Sequence, residues 1–180
     1  MNRYTLLLLV VLAIFSCQTV AATDPAYIIP TAGSVVKLKR SLVVEGGRVK
    51  VYLQRGEVVR RWDLDHYYPS CNFELFKLRQ RPTTIRPGSF SVVRTVRDID
   101  YMVQSDMPQR AVLNHVSSDG GGLSMIIHVV HMYIKLSRQP NVYKLTCRSW
   151  QAHPHEAKEP NIADMREALG NVASIRLHRR

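Results

Sequence analysis

Acidic residues are scarce in this chain. Over 180 residues 14 Asp and Glu stand against 25 Lys and Arg, a formal net charge of +11, and no acid precedes Asp24. The shortage excludes a surface of balanced sign. It points to anionic partners: lipid head groups, lipopolysaccharide, nucleic acid or an acidic protein. The same excess also serves solubility alone, because most of the basic residues are scattered. The exceptions are Lys37-Lys39-Arg40, Arg60-Arg61, Arg79-Arg81-Arg86 and the tail Arg176-His178-Arg179-Arg180. Aromatic residues are not interleaved with these clusters, which argues against a nucleic-acid surface. Long apolar runs are missing after the first 22 residues, which excludes a membrane-spanning helix there, since a span needs about 20 apolar residues. No internal repeat and no low-complexity tract occurs, which excludes a repeat architecture. There are only three cysteines.

The beginning of the chain has its own pattern. Asn2 and Arg3 precede an apolar run over residues 6–15, and small residues follow it. That order matches a secretory signal peptide. Two processing routes are open. Cleavage after Ala22 uses Val20 and Ala22 as the small residues of an ordinary site. Alternatively, Ile14-Phe15-Ser16-Cys17 resembles a bacterial lipobox, and Cys17 becomes an acylated N-terminus. Removing 22 residues leaves 158 with a net charge of +10, enough for one domain with a real core. The expected organisation is a signal peptide over 1–22 and a single domain over 23–180, placed in the periplasm, outside the cell, or on either membrane as a lipoprotein. Membrane contact is expected only through acylation of Cys17.

Residues 34–75 read as consecutive antiparallel strands. Val36, Leu38, Leu42 and Val44 alternate with polar residues; so do Val49, Val51 and Leu53. A period of two marks half-buried strands. Gly46-Gly47 and Arg55-Gly56 supply the turns. Further strands are expected over 73–79, 89–95, 99–103, 111–116, 123–136, 142–150 and 172–177. Pro82, Pro87 and Gly88 mark a loop over 79–88. Arg97, Asp98 and Asp100 mark a bend or an edge, and Pro108 a turn over 106–109. The glycine-rich 117–122 stretch lacks the lysine of a phosphate loop and reads as a flexible turn. A buried helix is the alternative for 123–136. Asn161 caps a helix whose apolar positions are Ile162, Met165 and Leu169, with Asp164 in its first turn and Gly170 as its stop. Strands followed by one helix predict a mainly β fold: an antiparallel sheet, a sandwich or a partly open barrel with a short C-terminal helix.

Several residues carry candidate chemistry. Asp63 and Asp65 share a face if their segment is a strand, and with His66 they offer acid–base or metal work; a polar turn is the competing account. His66 near Cys71 suggests an activated thiolate, whereas an oxidising compartment favours a disulfide between Cys71 and Cys147. Tyr143, Leu145 and Cys147 are expected on one buried strand face. Of seven histidines, His128 and His131 fall on opposite faces of a strand. His153, His155 and Glu156 make a chelating set that lacks defined geometry. No motif implies a cofactor.

The blocks VYLQRGEVV, DHYYPSCNFEL, TTIRPGSFSV, LSRQPNVYKLTC and ADMREALG together resemble a family of uncharacterised exported bacterial proteins. The resemblance implies a bacterial envelope setting and brings no catalytic residue. Three functions compete. The first is a non-enzymatic envelope domain that binds or scaffolds an anionic or protein partner. The second is a periplasmic hydrolase using His66 with Asp63 or Asp65. The third is a metal-binding protein using His153, His155 and Glu156.

Overall fold

A computed structural model describes residues 28–102 and 125–178. The expectations for 1–22 with Cys17, for 106–109, 111–116 and 117–122, and for Arg179 and Arg180 fall outside them. The fold is mainly β. Among the described residues ten strands and one helix follow in the order β1 (Val35–Leu38), β2 (Leu42–Val44), β3 (Lys50–Gln54), β4 (Glu57–Val59), a 3-10 turn (Arg61–Asp63), β5 (Ser70–Leu75), β6 (Thr83–Ile85), β7 (Gly88–Met102), β8 (Met125–Lys135), β9 (Val142–Arg148), α1 (Ile162–Leu169) and β10 (Ala173–Arg176). Eight strands form an antiparallel half-barrel sheet ordered β10-β1-β7-β8-β9-β5-β3-β4, and β2 and β6 form a small second sheet.

The alternation read in 34–44 is real, but it does not belong to one strand. Val36, Leu38, Leu42 and Val44 are all buried. The chain leaves the large sheet at Lys39, however, and β2 pairs β6, with Leu42 opposite Ile85 and Val44 opposite Thr83. Gly46-Gly47 therefore joins two sheets rather than closing a β2–β3 hairpin. The supposed loop 79–88 contains β6, the partner that β2 needs. The second turn is a hairpin as expected. Tyr52 faces Val59 and Gln54 faces Glu57, which leaves Arg55 and Gly56 as the two turn residues. Their φ values of 52° and 77° are those of a type I′ turn.

That turn also ends the helix. Gly56 N–H donates to the Ala168 carbonyl at 3.0 Å, filling one of the acceptors a helix C-terminus leaves open. The approach is close enough that a Cβ on Gly170 would meet Gly56 Cα at 2.5 Å. At the other end of α1, the Asn161 side chain accepts from Ala163 and Asp164 N–H, and the Asp164 carboxylate accepts from Asn161 N–H, a complete capping box. Ile162, Met165, Ala168 and Leu169 are the buried face.

The core lies between α1, the small sheet and one face of the large sheet. Phe73 and Phe90 meet at its centre, ring centroids 6.3 Å apart. Leu53, Met132, Leu145 and Met165 are equally inaccessible to solvent. Burial of each such side chain contributes about 1.5–3 kcal/mol. Cys71 and Cys147 face each other across β5 and β9 and are joined by a disulfide, Cα atoms 4.0 Å apart.

Two strands depart from their expected form. Of the bend or edge expected at Arg97, Asp98 and Asp100, the bend is absent, and among the described residues this part of β7 pairs β8 alone, because β1 reaches only to Ser91. β7 pairs β8 straight through these residues, and the register shifts instead between Val92 and Arg94. β5 ends at Leu75, not at residue 79, because Phe76 N–H turns to the Asn141 carbonyl and Lys77 N–H to the Asn141 side chain. A second register shift corrects the reading of β9. Glu74 faces Lys144 but Leu75 faces Val142, so Tyr143 is an extra residue. The shift gives the core position to Val142 and turns Tyr143 to the opposite face, with Glu74 and Tyr133. The 142–150 strand stops at Arg148.

Candidate functional site

The second face of the large sheet is polar, and much of it is buried. Cross-strand partners share a face. Opposite the core residues Val51, Phe73, Leu145 and Met132 run Lys50 and Tyr52 on β3, Asn72 and Glu74 on β5, and Lys144, Thr146 and Arg148 on β9. His131 and Tyr133 on β8 and Asp98 and Asp100 on β7 continue the same face. Asn72 and Thr146 are as buried as core residues.

Three polar groups organise this face. In the first, Glu74 lies 3.2 Å from Lys144 Nζ and 3.8 Å from Lys50 Nζ, and the Tyr143 hydroxyl donates to it at 3.0 Å. Burial, then the hydrogen bond to Glu74, raises the Tyr143 pKa. Burial alone would lower Lys144, but the hydrogen bond and charge of Glu74 override it and the net shift is upward. In the second, Arg148 Nη1 donates to Asn72 Oδ1 at 2.7 Å, and its Nε reaches Asp100 at 3.3 Å. Asn72 Nδ2 finds no acceptor among the described residues. In the third, His131 Nδ1 is 2.9 Å from Thr146 Oγ1 and its Nε2 is 3.6 Å from Asp98. Burial and then the charge of Lys144 lower the His131 pKa, so the ring is neutral at pH 7.

A groove of about 530 Å³ lies over part of this face, within the usual range for a small-molecule site. Arg48, Lys50, Arg61 and Arg148 line it, against the single acid Asp100, which Arg148 already holds. Tyr52, Tyr68, Ser70 and His66 contribute the rest of the polar wall. Buried Gln54 positions part of that wall. Its amide donates to the Asp65 and Tyr68 carbonyls at 2.8 and 3.1 Å, and its oxygen accepts from Asp65 N–H at 3.0 Å. The His66 carbonyl accepts from Gln151 N–H on the other side. The 64–68 loop is thereby fixed with His66 and Tyr68 at the groove.

The predicted polar set is divided by this arrangement. His66 lines the groove, but Asp63 and Asp65 do not. They do not share a strand face either. Asp63 ends the 3-10 turn and pairs with Arg60 at 2.6 Å, and Asp65 accepts from Tyr67 N–H within a turn. The pairing of His66 with a reactive Cys71 fails as well, because Cys71 is buried in the disulfide on the core face. His128 and His131 lie on opposite faces, as strand geometry requires. His153 and His155 stack with ring centroids 5.9 Å apart, and His155 lies 3.6 Å from an exposed Glu156. Among the described residues no group of three or more His, Cys, Asp or Glu is placed to hold a metal ion.

Sequence reasoning missed Lys50, Tyr52, Asn72 and Arg148. A signal was present. Lys50-Tyr52-Gln54, Ser70-Asn72-Glu74 and Lys144-Thr146-Arg148 place polar residues at every second position of three strands, and all three strands prove to be neighbours. Two comparisons with known proteins, against family models and against curated proteins, find no match, and no solved structure matches either.

Proposed function

We propose that this protein is an extracytoplasmic, non-enzymatic β domain that binds an anionic ligand in the groove over the polar face of its sheet. The observation that carries the reading is the charge of the lining: Arg48, Lys50, Arg61 and Arg148 against the single lining carboxylate of Asp100, with Arg61 the one of the four that has no ion pair among the described residues. Arg148 is held in place by Asn72 and Asp100, so an incoming anion meets an ordered guanidinium. Ordering the site in advance reduces the entropy lost on binding. Tyr52 and Tyr68 offer flat surface and hydroxyls beside the charges, which suits an acidic ligand with a ring or sugar attached. The disulfide and the apolar start of the chain support export, by either processing route. No helix among the described residues is long and apolar enough to cross a membrane.

The hydrolase reading is weaker on chemical grounds. His66 reaches the groove, yet the only carboxylate there is tied to Arg148 and lacks the freedom of a general base. The metal-binding reading rests on His153, His155 and Glu156, a loop trio whose side chains are not placed together to hold a metal ion.

Titration of the natively processed protein with inorganic phosphate and with citrate, followed by NMR, tests the proposal. Saturable shifts should concentrate on Tyr52, Tyr68 and the Arg148 side chain. Replacing Arg148 with Gln removes a charge-assisted hydrogen bond and should weaken binding by about ten- to hundred-fold. Unsaturable shifts spread over the whole surface, or an unchanged affinity in the Arg148→Gln protein, would reject the groove as the site.

A further inference from the structure

Three stretches that build one end of the half-barrel carry no acidic side chains. β1 ends there, β7 begins, β8 ends and β9 begins, as the pairs Leu38 with Gly88, Ser91 with Lys135 and Leu75 with Val142 show. No Asp or Glu occurs over residues 34–44, 75–97 or 130–148. The β5–β6 loop and the residue after β6 contribute Lys77, Arg79, Arg81 and Arg86 to this end. The β8–β9 turn adds Lys135 and Arg138, and the stretch after β1 adds Lys39 and Arg40. All eight side chains are exposed. None has an ion-pair partner among the described residues. The carboxylates that flank these stretches along the chain are engaged elsewhere: Glu74, three residues before Lys77, by Lys144, Lys50 and Tyr143, and Glu45, five residues after Arg40, by Arg48.

Apolar side chains sit among these charges. Phe76 is 70% exposed and Leu78 is 55% exposed, and they alternate with Lys77 and Arg79. The Phe76 ring stands edge-on to Tyr143, centroids 5.7 Å apart, so its exposure is a fixed presentation. The loops that carry these residues are fastened together. The Gln139 side chain accepts from Arg86 N–H and donates to the Arg86 carbonyl, both at 2.8 Å. Gly47 N–H donates to the Arg79 carbonyl at 2.9 Å. Holding eight unpaired like charges and two apolar side chains on a braced end raises self-repulsion without an internal benefit to the fold.

We propose that this end of the sheet docks on the surface of an anionic lipid bilayer, with Phe76 and Leu78 entering the headgroup boundary and the surrounding Lys and Arg pairing with lipid phosphates. Interfacial binding combines these two terms: apolar side chains pushed a short way into the boundary and electrostatic attraction to acidic lipid. A nucleic acid or an acidic polysaccharide satisfies the cations but offers no apolar layer for Leu78. This contact is additional to any acyl chain on Cys17. It borders the groove, with which it shares Leu78.

The test is vesicle flotation with the full chain, exported through its own leader and carrying Cys17→Ser so that acylation contributes nothing. Phosphatidylcholine vesicles with and without phosphatidylglycerol are the probes. Binding should require phosphatidylglycerol and disappear at high salt. Each cation near the surface is worth roughly five-fold in partitioning, so Arg79→Gln with Arg81→Gln, Arg86→Gln and Arg138→Gln should lower it by about a hundred-fold or more. Phe76→Ser alone should weaken vesicle binding and leave retention on heparin unchanged. Both variants alter exposed side chains, and circular dichroism with the intact disulfide confirms their fold. Equal binding to neutral and acidic vesicles, no binding to either, insensitivity to the four substitutions, or loss of heparin and vesicle binding in parallel in the Phe76→Ser protein would each overturn the proposal.

Discussion

Replacing both Cys71 and Cys147 with alanine isolates the contribution of the disulfide. The crosslink closes a loop of 76 residues by sequence separation. Chain-entropy reasoning for a loop of that length gives about 4.5 kcal/mol of stabilisation, acting on the unfolded chain. Residual structure in the unfolded state reduces this figure, so it is an upper value. In the folded state the change is smaller. Cys71 and Cys147 pair within an unbroken ladder from Ser70–Arg148 to Glu74–Lys144, which keeps its backbone hydrogen bonds without the sulfurs. Urea unfolding should therefore show a lower midpoint with a slightly larger dependence on denaturant, because the unbridged unfolded chain exposes more surface. For a domain of this size the melting temperature should fall by about 9–18 °C. Intact mass with and without reduction and alkylation accompanies the measurement. A midpoint equal to that of the parent, or two alkylatable thiols in denatured and unreduced parent protein, would refute the reasoning.

Two further outcomes follow from the polar face. Glu74→Gln leaves Lys144 beside Lys50 with no neutralising charge. Removing one partner of a buried ion pair costs about 3–5 kcal/mol, and the loss should fall at the low end because the Lys50 side chain is 33% exposed and can turn to water. Urea unfolding measures it, and a change near zero would show that the network is not held together by Glu74. His131 titrates below its ordinary 6.5 because it is buried and faces Lys144. The unfolded chain thus takes up this proton first, so the stability it contributes is complete above pH 6.5 and is lost as pH falls through the lower folded value. Melting temperatures should decline below pH 6.5, and His131→Gln should flatten part of that decline; identical profiles would exclude His131 as the cause.

The sequence carries much of the fold in its periodicities. The 3.6-residue spacing of Ile162, Met165 and Leu169, with Asn161 ahead of it and Asp164 in the first turn, marks a helix whose N-terminal cap is entirely local. Arg55-Gly56 is equally self-contained, since a type I′ turn needs two positive φ values and little else. Pairing over distance is different. Nothing near Leu42 indicates that its partner is Ile85, because the same apolar alternation serves a strand in either sheet. Charges at Arg97, Asp98 and Asp100 read as a bend or an edge, yet the strand runs straight through them against β8, and the register shift falls at Val93 instead. The extra residue at Tyr143 inverts a face assignment based on strict alternation. The groove was hidden for a related reason. Its walls come from separate segments, and only the strand order brings Lys50, Asn72 and Arg148 into one row. His66 stands out by residue type, whereas Asp63 and Asp65 are its neighbours in sequence and do not join it at the groove.

A half-barrel does not close, and its two margins are places where another chain can add a strand. β4 borders one margin and β10 the other. Both are short, three and four residues, so a foreign strand gains few backbone hydrogen bonds at either. β4 also carries Glu57 at its start, and β10 ends on Arg176, so a second copy approaching in parallel register sets like charges side by side. These are the ordinary means by which open sheets avoid indefinite stacking. Their brevity has a corollary for engineering. Extending β4 past Val59, where Arg60 and the 3-10 turn now end the pairing, would lengthen an edge beside exposed Val58 and should promote edge-to-edge polymerisation.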